Sequence, residues 1–278
     1  MRNVALWIET LREDIGRGLH GLGRSPGLVA VSAVSLGLGI GVNALLYMGV
    51  STIYFHQPTI ARADRVVGVE PGNANQFSYP NYLDLQGVNT FDGVVGFRTS
   101  SLNLGSGNRV TPVGILNVTA NFFDVLGITV MQGRTFSAAE AAAEREPRLV
   151  VVTFAFWQRR LQADPNIVGR TLTLNGEPFM ITGVLPERFK AITGWMAPQL
   201  YVPVSRLTMP TLNERGSPSL TVLARLSTDA TPVQAQAAVT ALGASLERAY
   251  PAENERMAQP AGVSWSSTTK AFGFSAIR

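Results

Sequence analysis

The pattern in this chain that comes nearest to a cofactor motif lies in an apolar stretch close to its start. Residues 39–44, GIGVNA, fit the G-x-G-x-x-A fingerprint with which some proteins bind the pyrophosphate of a dinucleotide, and Asp64 follows about where that fingerprint places an acidic residue. The fingerprint requires a strand before its glycines and a helix after them. Here the preceding residues continue the apolar stretch, and Pro58 breaks the chain after it. Dinucleotide binding is therefore disfavoured.

The remaining chemical candidates are isolated side chains. Ser267 and Lys270 fit the S-x-x-K pattern of serine acyl enzymes, but the S-D-N and K-T-G elements that accompany this pattern are missing. His20 and His56 have no partner at metal-ligand spacing, and the sequence holds no phosphate-binding G-x-x-x-x-G-K-[ST] loop. We therefore predict no catalytic, cofactor-binding or metal-binding residue, and no enzyme activity.

Composition and charge narrow the possible partners. Of the 278 residues, 46% are hydrophobic and only 15% are charged, where about a quarter is charged in a typical soluble domain. The net charge of +4 is spread without a basic block, so we predict no nucleic-acid partner. The sequence has no cysteine, which rules out disulfides and thiolate metal sites.

Much of the missing charge falls in one segment. Between Ser25 and Ala61 there is no Asp, Glu, Lys or Arg, and residues 28–55 are almost wholly apolar or small. A helix of this length would measure roughly 42 Å, enough to cross a hydrocarbon core of about 30 Å. We predict a transmembrane helix over residues 25–57. A secretory signal peptide fits less well, because its apolar region is usually about 7–15 residues long.

The charges that flank this segment predict its orientation. Four arginines precede the segment and two follow it closely, so the positive-inside rule places the N-terminus in the cytoplasm and the rest of the chain outside. Residues 1–24 carry apolar side chains at helical spacing, which predicts an amphipathic helix at the cytoplasmic interface. The alternative is a surface helix packed on another part of the same protein.

One face of the predicted transmembrane helix is bare of bulky side chains. Ala33, Gly37 and Gly41 recur at every fourth position, which lets another membrane helix approach closely. Asn43 is polar at membrane depth and should face a partner helix or the interior of a helix bundle. These four residues predict packing against other transmembrane helices.

Residues 58–278 have the pattern of an exported α+β domain. Short β-rich runs alternate with a few helical segments, and Asn175-Gly176 between two such runs is a strong hairpin signal. The order predicts a β-α-β unit at each end, over residues 66–99 and 219–266. The first would contain strands over 66–70 and 94–99, and the second a helix over 232–250 that Thr231 caps. We therefore predict two lobes. Residues 62–108 and 206–278 form a split β-α-β layer, and residues 109–205 form an inserted, hairpin-rich lobe.

Five segments, taken in order, resemble the MacB/FtsX-type permeases of ABC transporters, and most closely the large duplicated "orphan" permeases related to MacB. The segments are residues 25–47 (SPGLVAVSAVSLGLGIGVNALLY), 58–70 (PTIARADRVVGVE), 77–86 (FSYPNYLDLQ), 117–137 (NVTANFFDVLGITVMQGRTFS) and 150–189 (VVVTFAFWQRRLQADPNIVGRTLTLNGEPFMITGVLPERF).

The resemblance implies that a MacB-like periplasmic core domain follows the first membrane helix, and it implies structural roles for the motif residues. The implied core positions are Phe122, Phe123, Gly127, Gly133, Arg134, Trp157, Gly169, Gly176, Gly183 and Pro186. Trp157 together with Phe154 would anchor a helix to the sheet. The last three glycines would serve tight turns and close backbone approach, and Pro186 would end the hairpin.

The resemblance also implies transport at the bacterial inner membrane. A separate ABC ATPase subunit would bind and hydrolyse ATP, and its motion would pass through the membrane helices to the periplasmic domain for efflux or mechanical work on the cell envelope. Other implied partners are further transmembrane helices or a second permease copy in a dimer, the lipid bilayer, and a periplasmic or outer-membrane protein. No cofactor is expected in this chain itself.

Permeases of this family continue into further membrane helices, whereas this sequence ends at KAFGFSAIR. We expect the chain to be the N-terminal part of such a permease or the product of a truncated gene. For a truncated gene, the alternative is a single-pass, membrane-anchored interaction or sensor module without transport activity.

Overall fold

The structure, a computed structural model, describes residues 26–54, 60–74, 76–106, 109–137, 140, 148–189, 191 and 198–265. The chain divides into two units, Met1–Thr52 and Ile53–Arg278. The predicted interfacial helix over residues 1–24 and both histidines lie outside the described residues.

The described part of the first unit is a long helix, α1, which spans Pro26–Tyr54 and so extends two residues past the unit boundary. Many of its apolar side chains are exposed, including Val31, Leu38 and Leu45. The side chains at positions 28, 29, 46 and 48–54 lie outside the described part. Within that part, no helix is both long enough and apolar enough to cross a membrane. The membrane crossing over residues 25–57 therefore stays a prediction.

The second unit is a mixed domain of helices and one ten-stranded sheet. It begins with a short 3-10 helix, Ala63–Arg65. Its further elements are β1 (Val66–Glu70), α2 (Tyr79–Leu85), β2 (Phe91–Ser106), β3 (Arg109–Val118), α3 (Phe122–Leu126), β4 (Gln132–Gly133), β5 (Leu149–Val152), α4 (Phe154–Arg160), β6 (Thr171–Leu174), β7 (Glu177–Val184), β8 (Leu200–Pro203), β9 (Thr221–Leu226), α5 (Pro232–Ala249) and β10 (Gly262–Trp265).

Local sequence signals account for where the helices begin. At α5, the Thr231 hydroxyl accepts a hydrogen bond from the backbone N–H of Gln234, and the Gln234 side chain accepts one from the backbone N–H of Thr231. This capping box satisfies two backbone donors at the helix start. Thr153 caps α4 by accepting a hydrogen bond from the N–H of Phe156 at 3.3 Å.

The two ends of the domain meet in one part of the sheet. The strand order there is β10-β1-β9-β2, and β9 pairs antiparallel with both β1 and β2. The units β1-α2-β2 and β9-α5-β10 therefore interleave, which is the split β-α-β arrangement. Both helices pack on the same face, because side chains of α2 and α5 share one apolar cluster with the inward-facing residues of these strands.

The opposite face of the same strands packs against α3. Alternate residues of a strand point to opposite sides, so Val67 and Val69 face α2 and α5 while Val66 joins the cluster around α3. In β9, Leu223 likewise belongs to the α3 side. The helices of the domain thus cover both faces of the sheet over β1, β9 and β2.

The middle of the chain extends this sheet. The order continues β2-β3-β8-β5-β7-β4, with β6 pairing β7 and the far end of β2. The hairpin predicted at Asn175-Gly176 is confirmed, since β6 and β7 pair antiparallel around it. Strand β2 pairs β9 along its first half and β3 along its second half. It therefore pairs with strands of both predicted lobes, whose division stays a prediction.

Candidate functional site

The segment through which the chain reaches the second domain, residues 60–65, is here called the connector. Ile60 packs against the apolar cluster around α3. Arg62 adopts a left-handed backbone conformation, with φ of 47°, which is uncommon for a residue other than glycine. Its carbonyl oxygen accepts the N–H of Arg65 at 3.0 Å. Such a conformation persists only where surrounding contacts hold it.

The main contact that holds the connector comes from Arg225 in β9. This side chain is 7% exposed. Its Nε donates to the carbonyl oxygen of Val125 at 2.8 Å, its Nη1 to that of Arg62 at 3.1 Å and its Nη2 to that of Ala61 at 2.7 Å. One guanidinium therefore joins the sheet, α3 and the connector. Burial lowers the pKa of Arg225, and the nearby Arg62 lowers it further.

A second arginine, Arg65, lies in the connector and binds the loop after β9. Arg65, at the end of the connector, donates from Nη2 to the carbonyl oxygens of Ser227 and Thr228, the latter at 3.1 Å, in the loop after β9. Arg62, Arg65, Arg225, Asp64 and Asp92 are among the residues around a cavity of about 240 Å³. Its mixed charges make this a polar junction.

Helix α3 is seated against the connector and the sheet by two glycines. Gly127 ends the helix in a left-handed conformation, with φ of 68°, and a β-carbon there would lie 2.5 Å from that of Ala61. On the other side, a β-carbon at Gly93 of β2 would lie 2.7 Å from a methyl carbon of Val125. The N–H of Ala61 donates to the carbonyl of Leu126 at 3.1 Å.

Two aromatic residues of the fourth family-like segment (residues 117–137) anchor α3 in the core. Phe122 and Phe123 are fully buried and meet edge to face, with ring centroids 5.4 Å apart. Both contact Tyr201 of β8, whose hydroxyl has no hydrogen-bond partner among the described residues. Burial raises the pKa of Tyr201. Aromatic pairs of this geometry favour a fixed arrangement of the helix on the sheet.

Two motif glycines that lie far apart in the sequence meet in the sheet. Gly133 of β4 pairs with Gly183 of β7. A β-carbon at Gly133 would collide with the carbonyl of Thr182, and one at Gly183 would lie 2.6 Å from the carbonyl of Arg134. The side chain of Arg134 points outward and forms an ion pair with Glu140 at 2.6 Å. This pairing raises the pKa of Arg134 and lowers that of Glu140.

The remaining motif residues surround α4. Trp157 packs against an apolar cluster in which Phe156, rather than Phe154, is the buried aromatic of this helix. The indole Nε1 of Trp157 donates to the carbonyl of Asp164 at 2.9 Å. Gly169 and Gly176 occupy left-handed turns with open space around them. Pro186 follows β7 and helps to line a cavity of about 630 Å³.

The four residues predicted for helix packing all lie on α1 and are exposed. A β-carbon at Gly37 or Gly41 would meet no other atom within 4 Å. The Asn43 side chain donates to the carbonyl of Gly39 at 2.9 Å, within its own helix. The packing of a partner helix on this face stays a prediction.

The sequence did not reveal Arg225, Ala61, Tyr201 or Phe156 as parts of these sites. A signal for Arg225 was present, because an arginine among the apolar residues of the strand TVLARL needs a partner when buried. Among the described residues, no group of three or more His, Asp and Glu side chains is placed to hold a metal ion.

The comparisons with known proteins agree with this architecture. The sequence profile described as the MacB-like periplasmic core domain matches residues 28–242. The extracellular domain of the noncanonic ABC-type transporter YknZ from Gram-positive bacteria superposes with a TM-score of 0.50 at 16% identity, over 72% of this chain and 99% of that domain. The periplasmic region of MacB from Actinobacillus actinomycetemcomitans gives a TM-score of 0.52 at 19% identity, over 75% and 92% of the two chains.

These two solved structures share the fold of the chain at low sequence identity. A search of curated protein sequences gave no match. The family profile covers well over half of the chain and includes the connector, α3 and most of α5. The chain therefore belongs to the family of the MacB-like periplasmic core domain, the periplasmic domain of ABC-type transporter permeases.

Proposed function

We propose that the chain is the permease subunit, or the N-terminal part of one, of a MacB-like ABC transporter. In this proposal α1 crosses the inner membrane with its N-terminus in the cytoplasm, and residues 58–278 lie in the periplasm. A separate ATPase subunit hydrolyses ATP, and the resulting motion of the membrane helices moves the periplasmic domain for efflux or work on the envelope.

The observation that carries the proposal is the bonding of the connector into the interior of a domain of this family. Arg225 holds the carbonyls of Ala61 and Arg62, and the N–H of Ala61 bonds to α3. The connector begins six residues after the end of α1 at Tyr54. In this proposal a displacement of that helix passes to the connector through only a few residues of chain, as mechanical coupling requires.

The properties of α1 support its place in the membrane. The helix carries no acidic residue in its first turn and no basic residue in its last, and apolar side chains such as Leu36, Ile40 and Val42 are exposed on it. Exposed apolar surface of this extent requires a lipid or protein environment. The small residues Gly37 and Gly41 support close approach of a second helix.

The proposal is tested by solubilising the chain together with its native neighbours in detergent, capturing it through an affinity tag and identifying the captured proteins by mass spectrometry. Recovery of an ABC ATPase subunit is the expected result. An intact, membrane-extracted chain that brings down no ATPase would contradict the transport proposal and favour the stand-alone interaction module.

A pair of helix variants sharpens this test. Gly41→Leu fills the small-residue face and should reduce recovery of the partner subunits, because it blocks close helix approach. Gly39→Leu adds the same side chain two positions away, about 200° around the helix at about 100° per residue, and should leave recovery near the parent level. Equal recovery with both variants would remove the packing argument and leave the ATPase result standing.

A further inference from the structure

Arg225 occupies an unusual position for a buried basic side chain. It lies one residue before the end of β9, on the face that packs against α3, between Val66 of β1 and Gly93 of β2. Its three hydrogen bonds all go to backbone carbonyls outside its own strand, two in the connector and one in α3. A guanidinium presents its N–H donors in a rigid planar fork, so the three carbonyls are held in a fixed relation to the sheet.

We propose that Arg225 is the positioning residue that passes force from the connector to α3 and the sheet. This inference rests on the proposed function, in which motion of α1 drives the domain. It assigns a specific side chain to the step in which that motion enters the domain.

Contacts between the α3 region and β2 would pass a displacement of the helix on to the sheet. Val125, whose carbonyl Arg225 binds, packs directly over Gly93 of β2. At the other end of α3, the Asn121 side chain donates to the carbonyl of Val94 at 2.9 Å, and the Thr119 hydroxyl accepts the N–H of Gly96 at 3.1 Å. The residues just before α3 are thus hydrogen-bonded to β2, and Val125 within the helix packs on the same strand.

The position of α3 in the chain determines where the displacement goes. The helix follows β3 and precedes β4, and these strands pair with β8 and β7 of the middle block. A connector that moves α3 therefore acts at once on β2 and on the strands of the middle block. Arg65 adds a contact from the connector to the loop after β9, which holds the same junction from the other side.

The inference is tested by pulling on the connector of the full chain in detergent with optical tweezers. The sequence has no cysteine, so Gln57→Cys and Arg248→Cys provide unique attachment points, one just before the connector and one near the end of α5. This geometry loads the connector and leaves α1 outside the force path. The parent should release the connector only when the sheet unfolds, in one large extension.

The Arg225→Met variant should instead show an early, separate extension at lower force. Release of about ten residues, from position 57 to 66, adds roughly 35 Å at about 3.5 Å each. Arg225→Lys keeps one flexible ammonium in place of the planar fork and should show the same early extension at intermediate force. If circular dichroism shows that Arg225→Met does not fold, Arg225→Lys serves as the test variant instead.

The matched control is Arg215→Met, at a half-buried arginine whose partners lie in α2 and directly after α5. It loses an ion pair to Asp84 of 2.6 Å and a contact with the ring of Tyr250, so it should unfold at lower force without a short early extension. The inference is overturned if a folded Arg225 variant extends in a single step at the parental force, or if Arg215→Met shows the same early step. No ATPase takes part, so failure to recover one leaves this result unaffected.

Discussion

Ala61 occupies the space that a side chain on Gly127 would need: a β-carbon at Gly127 would lie 2.5 Å from the β-carbon of Ala61. The two residues belong to the connector and to the end of α3, and the N–H of Ala61 bonds to the neighbouring carbonyl of Leu126 at 3.1 Å. The left-handed turn at Gly127, with φ of 68°, brings the backbone close enough for this contact. The connector therefore sits on the end of the helix.

Gly127→Ala should lower the free energy of unfolding by about 1–3 kcal/mol, measured by urea denaturation. The left-handed conformation costs alanine roughly 1–2 kcal/mol, and the overlap with Ala61 adds to this. Gly176→Ala is the matched control, since Gly176 has φ of 83° and open space around it; it should lose only the conformational part, about 1 kcal/mol.

The double variant Ala61→Gly with Gly127→Ala separates the two causes. Removing the methyl of Ala61 should recover the part of the loss that comes from overlap, a coupling of about 0.5–3 kcal/mol for residues in contact. If the glycine at position 61 recovers nothing, and Gly127→Ala costs no more than Gly176→Ala, the close approach contributes nothing to stability.

The elements of the domain were largely predictable because their signals are local. Strand β1 was predicted over Val66–Glu70 and has these bounds, and α5 begins at Pro232 after its capping residue as predicted. Strand β2 was predicted over 94–99 but spans Phe91–Ser106. That prediction was too short because the polar second half is held as a strand by ten paired positions with β3, and pairing of this kind leaves no mark on a single sequence.

The contacts between Arg225, the connector and α3 were harder to predict, because they too join distant segments of the chain. The acceptors of Arg225 are backbone carbonyls. Because every residue carries one, the side-chain types at positions 61, 62 and 125 do not indicate these contacts. The meeting of Gly133 with Gly183 is likewise a matter of strand register. The motifs pointed to both glycines separately and gave no sign that they pair.

Tyr201→Phe should leave the free energy of unfolding unchanged or raise it by up to about 2 kcal/mol. The hydroxyl is buried and has no hydrogen-bond partner among the described residues, and an unsatisfied buried polar group costs about 1–3 kcal/mol. Tyr82→Phe is the control, because the Tyr82 hydroxyl donates to the carbonyl of Val94 at 3.3 Å. That variant should lose about 1 kcal/mol. Equal losses in both would mean that the Tyr201 hydroxyl has a partner in the folded protein.

Trp157→Phe should loosen the turn after α4. The indole N–H holds the carbonyl of Asp164 at 2.9 Å, while Gln162 and Ala163 adopt left-handed conformations that need such support. Loss of the donor should cost about 0.5–1.5 kcal/mol and speed amide exchange at Ala163, whose N–H bonds to the Trp157 carbonyl.

The control for this turn is Phe154→Leu. Its ring lies 5.5 Å from that of Trp157, so the substitution alters the packing of the indole and keeps the hydrogen bond to Asp164. Amide exchange at Ala163 should stay at the parental rate. If the leucine variant speeds exchange as much as Trp157→Phe does, ring packing rather than the hydrogen bond orders the turn.

Glu140→Gln should reveal a stabilising contribution that depends on pH. The hydrogen bonds from Arg134 lower the pKa of Glu140 from 4.5 to about 2. Because the folded pKa lies below the unfolded value, the contribution is complete above pH 4.5 and is lost as the pH falls towards 2. The Arg134 side chain is more than half exposed, so the loss at pH 7 should be at most about 1 kcal/mol.

Urea unfolding of the parent and of Glu140→Gln at several pH values between 2.5 and 7 measures this contribution. The difference in free energy of unfolding should be largest at neutral pH and should shrink steadily below pH 4.5. Glu177→Gln is the control, because the ion pair of Glu177 with Arg148 is exposed on both sides and should contribute close to nothing. A difference for Glu140→Gln that is the same at pH 3 as at pH 7 would mean that the carboxylate charge does not stabilise the turn, and that the glutamate acts only through contacts that glutamine shares.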